Sequence, residues 1–390
     1  MIRRIFLARA LRAFADGYVS VLLPAYLLAL GLGQIDVGFL STATLFGSAL
    51  ATLAVGRWGH RYPLRGLLVA AAALMAATGA AFAAFSSFWP LAIIALVGTL
   101  NPSSGDVSVF YPLEHTALAS ASSADERTRV FARYSFIGSL LGAIGALAAA
   151  APEWIAARTA LGALEALRLM FLLYGAIGLA VWLLYLDFPR TQAEKASTAP
   201  LGPSRGIVWK LALLFSVDSF AGGFTINALL ALWLFDRFGL SLTAAGAIFF
   251  WTGLLSAGSQ LAAAPLARRI GLVNTMVFTH IPANLCLIGA ALAPSLELAL
   301  GLLFARSALS QMDVPARGAY VMSVVTPQER PAAASFTAVP RSLASALSPS
   351  LTGAMLAAGA LSAPLLICGV LKTAYDLALF AAFRRVRPRS

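Results

Sequence analysis

Residues 188–207 read Phe-Pro-Arg-Thr-Gln-Ala-Glu-Lys-Ala-Ser-Thr-Ala-Pro-Leu-Gly-Pro-Ser-Arg-Gly-Ile. The run is polar, punctuated by proline and too short to form a domain, so it reads as a linker. Its flanks make it decisive. Of 390 residues, 60% are hydrophobic and only 11% charged, and the mean hydropathy is +0.84, a balance foreign to a soluble domain of this length. Crossing roughly 30 Å of hydrocarbon takes about 20 apolar residues. Six such stretches precede the linker, near residues 8–31, 36–57, 66–85, 89–114, 130–151 and 167–187. Six follow it, near 209–234, 243–264, 272–293, 297–322, 335–358 and 363–383. The expectation is an all-α integral membrane protein. It comprises a six-helix bundle over 1–188, a cytoplasmic linker over 189–207 and a second bundle over 208–390.

The net charge of +12 raises the question of nucleic acid, and its distribution answers it. With the N-terminus inside, eighteen Lys and Arg fall in the tails and inner loops, against Arg158, Arg168 and Arg237 outside. This is the positive-inside pattern, which predicts a multi-pass protein of a bacterial inner membrane with both termini cytoplasmic and excludes nucleic acid as partner. The first apolar run has no small-residue cleavage site and is expected to stay as a span. Cys286 and Cys368 lie in apolar runs and read as core residues.

The halves repeat. A shift of 208 aligns Gly31 with Gly239, Gly38 with Gly246 and Arg61 with Arg269, and an Asp-Val pair recurs late in spans four and ten (Asp106-Val107, Asp313-Val314). Parallel six-span repeats predict a transporter with its substrate site between the halves near the midplane.

The loop after span two, Gly56-Arg57-Trp58-Gly59-His60-Arg61-Tyr62-Pro63-Leu64-Arg65, resembles the signature of major facilitator superfamily (MFS) transporters, Gly-x-x-x-Asp-Arg-x-Gly-Arg-Arg. Gly56, Arg61 and Arg65 match, while His60 stands at the Asp position; the second copy keeps Arg269 and Gly271 and has Arg268 where the acid belongs. The resemblance implies two pseudo-symmetric six-helix bundles working by alternating access, and a cytoplasmic gate at these residues. The missing acids put the gate's usual latch in question.

Charges inside the spans are the candidate working parts, since each costs about 2.5–3.5 kcal/mol near the bilayer centre unless it faces water or a partner. Arg12 and Asp16 lie i,i+4 in span one and are expected to pair. Asp218 in span seven has no cation within a turn, so its partner must come from another helix or water, and Gly222-Gly223 is expected to mark a bend. Asp106 follows Pro102 and Gly105 in span four. In span ten, Arg306, Asp313 and Arg317 fall near one stripe. These seven residues form the expected proton-coupling and charge network. Tyr18, Asn101, Phe220, Asn227, Trp251, Gln311 and Arg341 are cavity candidates by depth. Glu114 and His115 read as a solvated face near the cytoplasmic mouth. Gly138, Gly142 and Gly145 form a small-residue face that lets helices approach. The three histidines are too scattered for a metal cluster.

The reading is secondary transport of a small organic solute by a monomer in the lipid bilayer, without a cofactor. The proton is the coupling ion, and transport is outward by antiport, as in drug and metabolite exporters. The outward direction rests on a likeness of the span-ten run to bacterial exporters. An alternative is uptake or exchange of an organic anion bound by Arg12, Arg306, Arg317 or Arg341. A non-transporting sensor or scaffold usually carries extra domains, and an enzyme would need a nucleophile–base pair that the chain does not display.

Overall fold

The computed structural model describes residues 1–103, 108–188 and 201–386. Among them the regular elements are helical. The helices are α1 (Ile2–Ala29), α2 (Gln34–Trp58), α3 (Leu64–Ala84), α4 (Phe88–Val97), α5 (Phe110–Ala121), α6 (Ala124–Leu147), α7 (Ala151–Arg158) and α8 (Ala163–Leu186). After the linker come α9 (Arg205–Gly223), α10 (Asn227–Phe238), α11 (Leu242–Ile270), α12 (Leu272–Leu292), α13 (Leu296–Leu309), α14 (Asp313–Val324), α15 (Arg330–Ser345), α16 (Ser348–Ala357) and α17 (Ala363–Phe383).

Nine helical stretches among the described residues are long and apolar enough to cross a membrane. The other three expected spans are each split in two. Span four becomes α4 and α5, span ten α13 and α14, and span eleven α15 and α16. Span seven also breaks, between Gly223 and Asn227. A break inside a membrane strands backbone carbonyls, which must find donors within the protein. Here α16 supplies them: Ser348 Oγ donates to the Phe220 carbonyl at 2.6 Å and Thr352 Oγ1 to that of Phe224 at 3.0 Å.

The chain divides into two compact units, Met1–Lys195 with Ile226–Phe250, and Ala196–Thr225 with Trp251–Ser390. The first unit holds α10 and the first turns of α11 through backbone contacts. Ala228 N donates to the Pro102 carbonyl at 3.0 Å, and the Glu153 carboxylate caps α11 at the amides of Leu242 and Thr243.

The two units repeat one packing scheme. In the first, α1 lies against α6 and α8, and α3 against α8; in the second, α9 lies against α15 and α17, and α12 against α17. Glycine permits these approaches in both. A Cβ on Gly17 would strike the Gly142 carbonyl on α6, and one on Gly223 would strike Ser345 and Ser348. The small-residue face of span five turns wholly to α1: Gly145 abuts the Phe14 backbone, and Gly138 lies under the Arg9 side chain.

Candidate functional site

In the first unit, four helices converge on one carboxylate. Glu114 on α5 is fully buried and ion-paired to Arg12 on α1, while the hydroxyls of Tyr134 on α6 and Tyr185 on α8 donate to it. The Arg12 guanidinium lies over the Phe110 ring, 4.0 Å from its centroid, and Arg9 lies over Tyr134 at 5.0 Å. Arg12 therefore has its charge, its plane and its Nη2 engaged within the bundle, while its buried Nε has no hydrogen-bond partner among the described residues. One expectation is corrected here. Glu114 does not sit on a solvated face, because the α4–α5 break turns it inward. Glu114 closes on Arg12, and the charge of Asp16 acts on the same guanidinium. Asp16 is buried one turn further on, beside a crevice shared with Thr99, Phe110 and Tyr174 that is too narrow for a water molecule. His115 is stacked between Tyr111 and Phe131, with centroids at 3.9 and 4.7 Å.

The second unit holds a longer chain of charges. Asp218 on α9 receives Lys372 Nζ of α17 at 2.6 Å on one oxygen and Arg317 Nη2 of α14 at 3.1 Å on the other. Arg317 also pairs with Asp313, and lies 5.3 Å from the Phe215 ring centroid. Asp313 opens α14, where a carboxylate suits the positive helix start. Arg341 on α15 donates from Nε to Ser219 Oγ at 2.9 Å. One turn beyond Lys372 on α17, Asp376 is fully buried; it contacts His280 Nδ1 at 3.1 Å and accepts from Asn284 Nδ2 at 2.9 Å.

The structure brings Asp218, Asp313 and Arg317 together; the sequence places Asp313 and Arg317 on one stripe and leaves the partner of Asp218 to another helix or water. Arg306 does not join them: Ser310–Met312 interrupt the helix between it and Asp313, so the expected stripe is not continuous. Arg306 enters no ion pair among the described residues. Asp106 lies outside the described residues. Lys372, Asp376 and His280 were missed by sequence reading. Lys372 and Asp376 at i,i+4 in an apolar run were the available signal.

The cavity candidates scatter. Tyr18 is fully buried and its hydroxyl donates to the Met170 carbonyl at 3.1 Å, which makes it part of the α1–α8 packing rather than a free wall. Asn101 is buried, accepting from Ser103 N and Oγ. Gln311 lies in the α13–α14 break and is half-buried, Phe220 stacks edge-on against Phe224, Asn227 opens α10, and Trp251 is 53% exposed. Of the gate residues, Gly56 and Arg61 are exposed at the end of α2 and in the turn after it, and Arg65 opens α3. Arg269 closes α11, and Gly271 takes φ +88°, a conformation that side chains rarely adopt. None of these arginines is ion-paired among the described residues. Cys368 is buried and Cys286 half-buried, both as free thiols.

Comparison with known proteins agrees with this architecture. The chain is 24% identical over 410 residues to the uncharacterized membrane protein YJR124C of Saccharomyces cerevisiae, covering 96% of this chain and 92% of that protein. Its fold resembles a bacterial homologue of the human lysosomal transporter Spinster, solved inward-facing and occupied, with TM-score 0.76, 16% identity, and coverage of 100% of this chain and 98% of that one. It also resembles the inward-open xylose transporter XylE of E. coli, with TM-score 0.75, 15% identity, and coverage of 100% and 97%. At such identities the likeness is one of fold. The sequence profile of the Major Facilitator Superfamily matches residues 5–310 and 219–390, so the chain belongs to that family of membrane transporters.

Proposed function

We propose that the protein moves a small organic solute outward across a bacterial inner membrane by alternating access, coupled to protons, with both termini cytoplasmic. The observation that carries this reading is Asp218, one buried carboxylate held by two cations from two different helices beside the break that ends α9. Removing charges from water is expensive, and their attraction offsets the penalty only while the geometry holds. A proton taken up beside Asp218 weakens its hold on Lys372 and Arg317 in one event, and so loosens α17 and α14 together. That is the mechanical output a coupling proton requires. The excess of Lys and Arg in the tails and expected inner loops supports the orientation.

The test is purified protein in proteoliposomes with a pH dye inside and an imposed gradient. The probes are xylose and other neutral sugars, organic amines and carboxylated organic anions. At least one probe should move together with protons, and inside-out vesicles should report the direction. Asp218→Asn should abolish gradient-driven accumulation and spare exchange. Transport with the same pH dependence in wild type and variant removes the proton-coupling reading.

A second reading has its own observation. Arg341 spends its Nε on a neutral hydroxyl, and neither it nor Arg306 has a carboxylate partner among the described residues. A guanidinium fork left open in this way suits a carboxylate or phosphate on the solute. Arg12 and Arg317, the other arginines of the anion reading, are already engaged by protein carboxylates.

A further inference from the structure

Glu114, Asp218 and Asp313 each face a permanent cation, but Asp376 faces an imidazole. Both of its oxygens lie 3.1 Å from His280 Nδ1, and Asn284, one turn along α12 from His280, donates to one of them at 2.9 Å. Both His280 and Asp376 are at least 95% buried. Lys372 lies one turn from Asp376 on α17, and it holds Asp218. The helix therefore carries one half of each pair, four residues apart.

We propose that His280 and Asp376 form a proton-binding site whose occupancy alters the Lys372–Asp218 ion pair. The proposal rests on the proton-coupled reading above and names where the coupling proton sits. With His280 neutral, Nδ1–H donates to the Asp376 carboxylate and the pair carries one negative charge. A proton from water adds to Nε2, and the pair becomes a neutral imidazolium–carboxylate couple. Asp376 then no longer competes with Asp218 for Lys372, and the new imidazolium competes with Lys372 for Asp218. The charged groups that act on Asp376 besides His280 are Asp218 on α9 and Lys372 on α17; Tyr375 on α17 sets its ring 6.3 Å from that of His280, Arg317 from α14 reaches the same Asp218, and α16 offers no titratable side chain. Imidazole is the side chain suited to this task, because its charge changes within the working pH range.

The chain has three histidines, so NMR of the full-length, ring-labelled protein in lipid nanodiscs resolves them, and His280→Gln identifies the signal of interest. The His280 ring signals should report uptake of a proton at Nε2 as the pH falls. Asp376→Asn should lower the pH at which this occurs, by removing the adjacent negative charge. Lys372→Gln leaves the pair's own contacts in place and should raise it. A His280 that keeps one protonation state from about pH 4.5 to 9, or a midpoint unmoved by either substitution, overturns the proposal. Wild-type vesicles that move solute without protons while His280 titrates as stated would instead overturn the coupled-transport reading and leave the site standing.

Discussion

The guanidinium of Arg12 closes on the carboxylate of Glu114, 102 residues later in the chain, and thereby ties α1 to α5 at the heart of the first unit. Two tyrosines from two further helices complete the carboxylate's shell. Removing one member of a buried pair leaves an uncompensated charge, at a cost of about 3–5 kcal/mol. Glu114→Gln should therefore lower the melting temperature of the purified protein markedly. Combining it with Arg12→Met should recover part of the loss. A single variant that melts with the wild type would mean the pair contributes nothing to the fold.

Gly17 offers a backbone test. Its missing side chain allows α1 to touch the Gly142 carbonyl on α6, and Gly17→Ala should destabilise by about 1–3 kcal/mol through overpacking. Gly258 on α11 is the internal control, because nothing lies within 4 Å of the Cβ it lacks. Gly258→Ala should be neutral or stabilise slightly by removing glycine's conformational freedom. Thermal unfolding of both variants reads the contrast, and equal shifts would contradict it.

The anion reading turns on Arg341. Arg341→Ala should raise the apparent half-saturation for a carboxylated probe about tenfold or more, as expected from losing a charge-assisted hydrogen bond, and leave neutral probes unchanged. Equal effects on charged and neutral probes would assign Arg341 a purely structural part.

Outside the spans, Glu329 grips the stretch just before α9. Its carboxylate accepts from the Gly202 amide at 2.7 Å, from the Ser204 hydroxyl at 2.7 Å and from the Thr326 hydroxyl at 2.7 Å. Hydrogen bonds from Ser204 and Thr326 favour the charged form and hold its carboxyl down to about 2, below the ordinary value of 4.5. A carboxyl depressed in the folded state stabilises fully above its ordinary value and loses that stabilisation as pH falls toward 2. Amide exchange at Gly202 should stay protected at neutral pH and accelerate, beyond its intrinsic pH dependence, between about pH 4.5 and 2. In Glu329→Gln the protection should be weaker and flat across that window. A wild type without this step would refute the clamp.

The hydrophobic rhythm around the linker was enough to read twelve spans, and proline or glycine marked the breaks in spans four and seven. Asp218 could be picked out because a charge in an apolar run must have a reason. Its partners could not. Which helix brings Lys372 to it depends on how α9 and α17 rotate about their axes, and a periodic apolar sequence does not fix that angle. Glu114 was misjudged for the same reason: counting residues along span four assumes a continuous helix, and the interruption before Phe110 changes which way the next turns face. Asp376 looked unremarkable beside Lys372, because such spacing also describes an ordinary intrahelical pair. Only the arrival of His280 and Asn284 from α12 separates the two.

The shared helix scheme of the two units, set against their unlike interiors, separates what the scaffold requires from what the chemistry requires. The glycine contacts serve both units, since a side chain at Gly17 or at Gly223 would overpack its bundle. The polar interiors differ: one unit holds Arg12 against a carboxylate that two phenols also reach, with Arg9 nearby, while the other sets lysine, arginine and histidine around three acids. A deep mutational scan should display that separation as intolerance at both Gly17 and Gly223 and unmatched profiles at Arg12 and Phe220, the position aligned with it under the 208-residue shift.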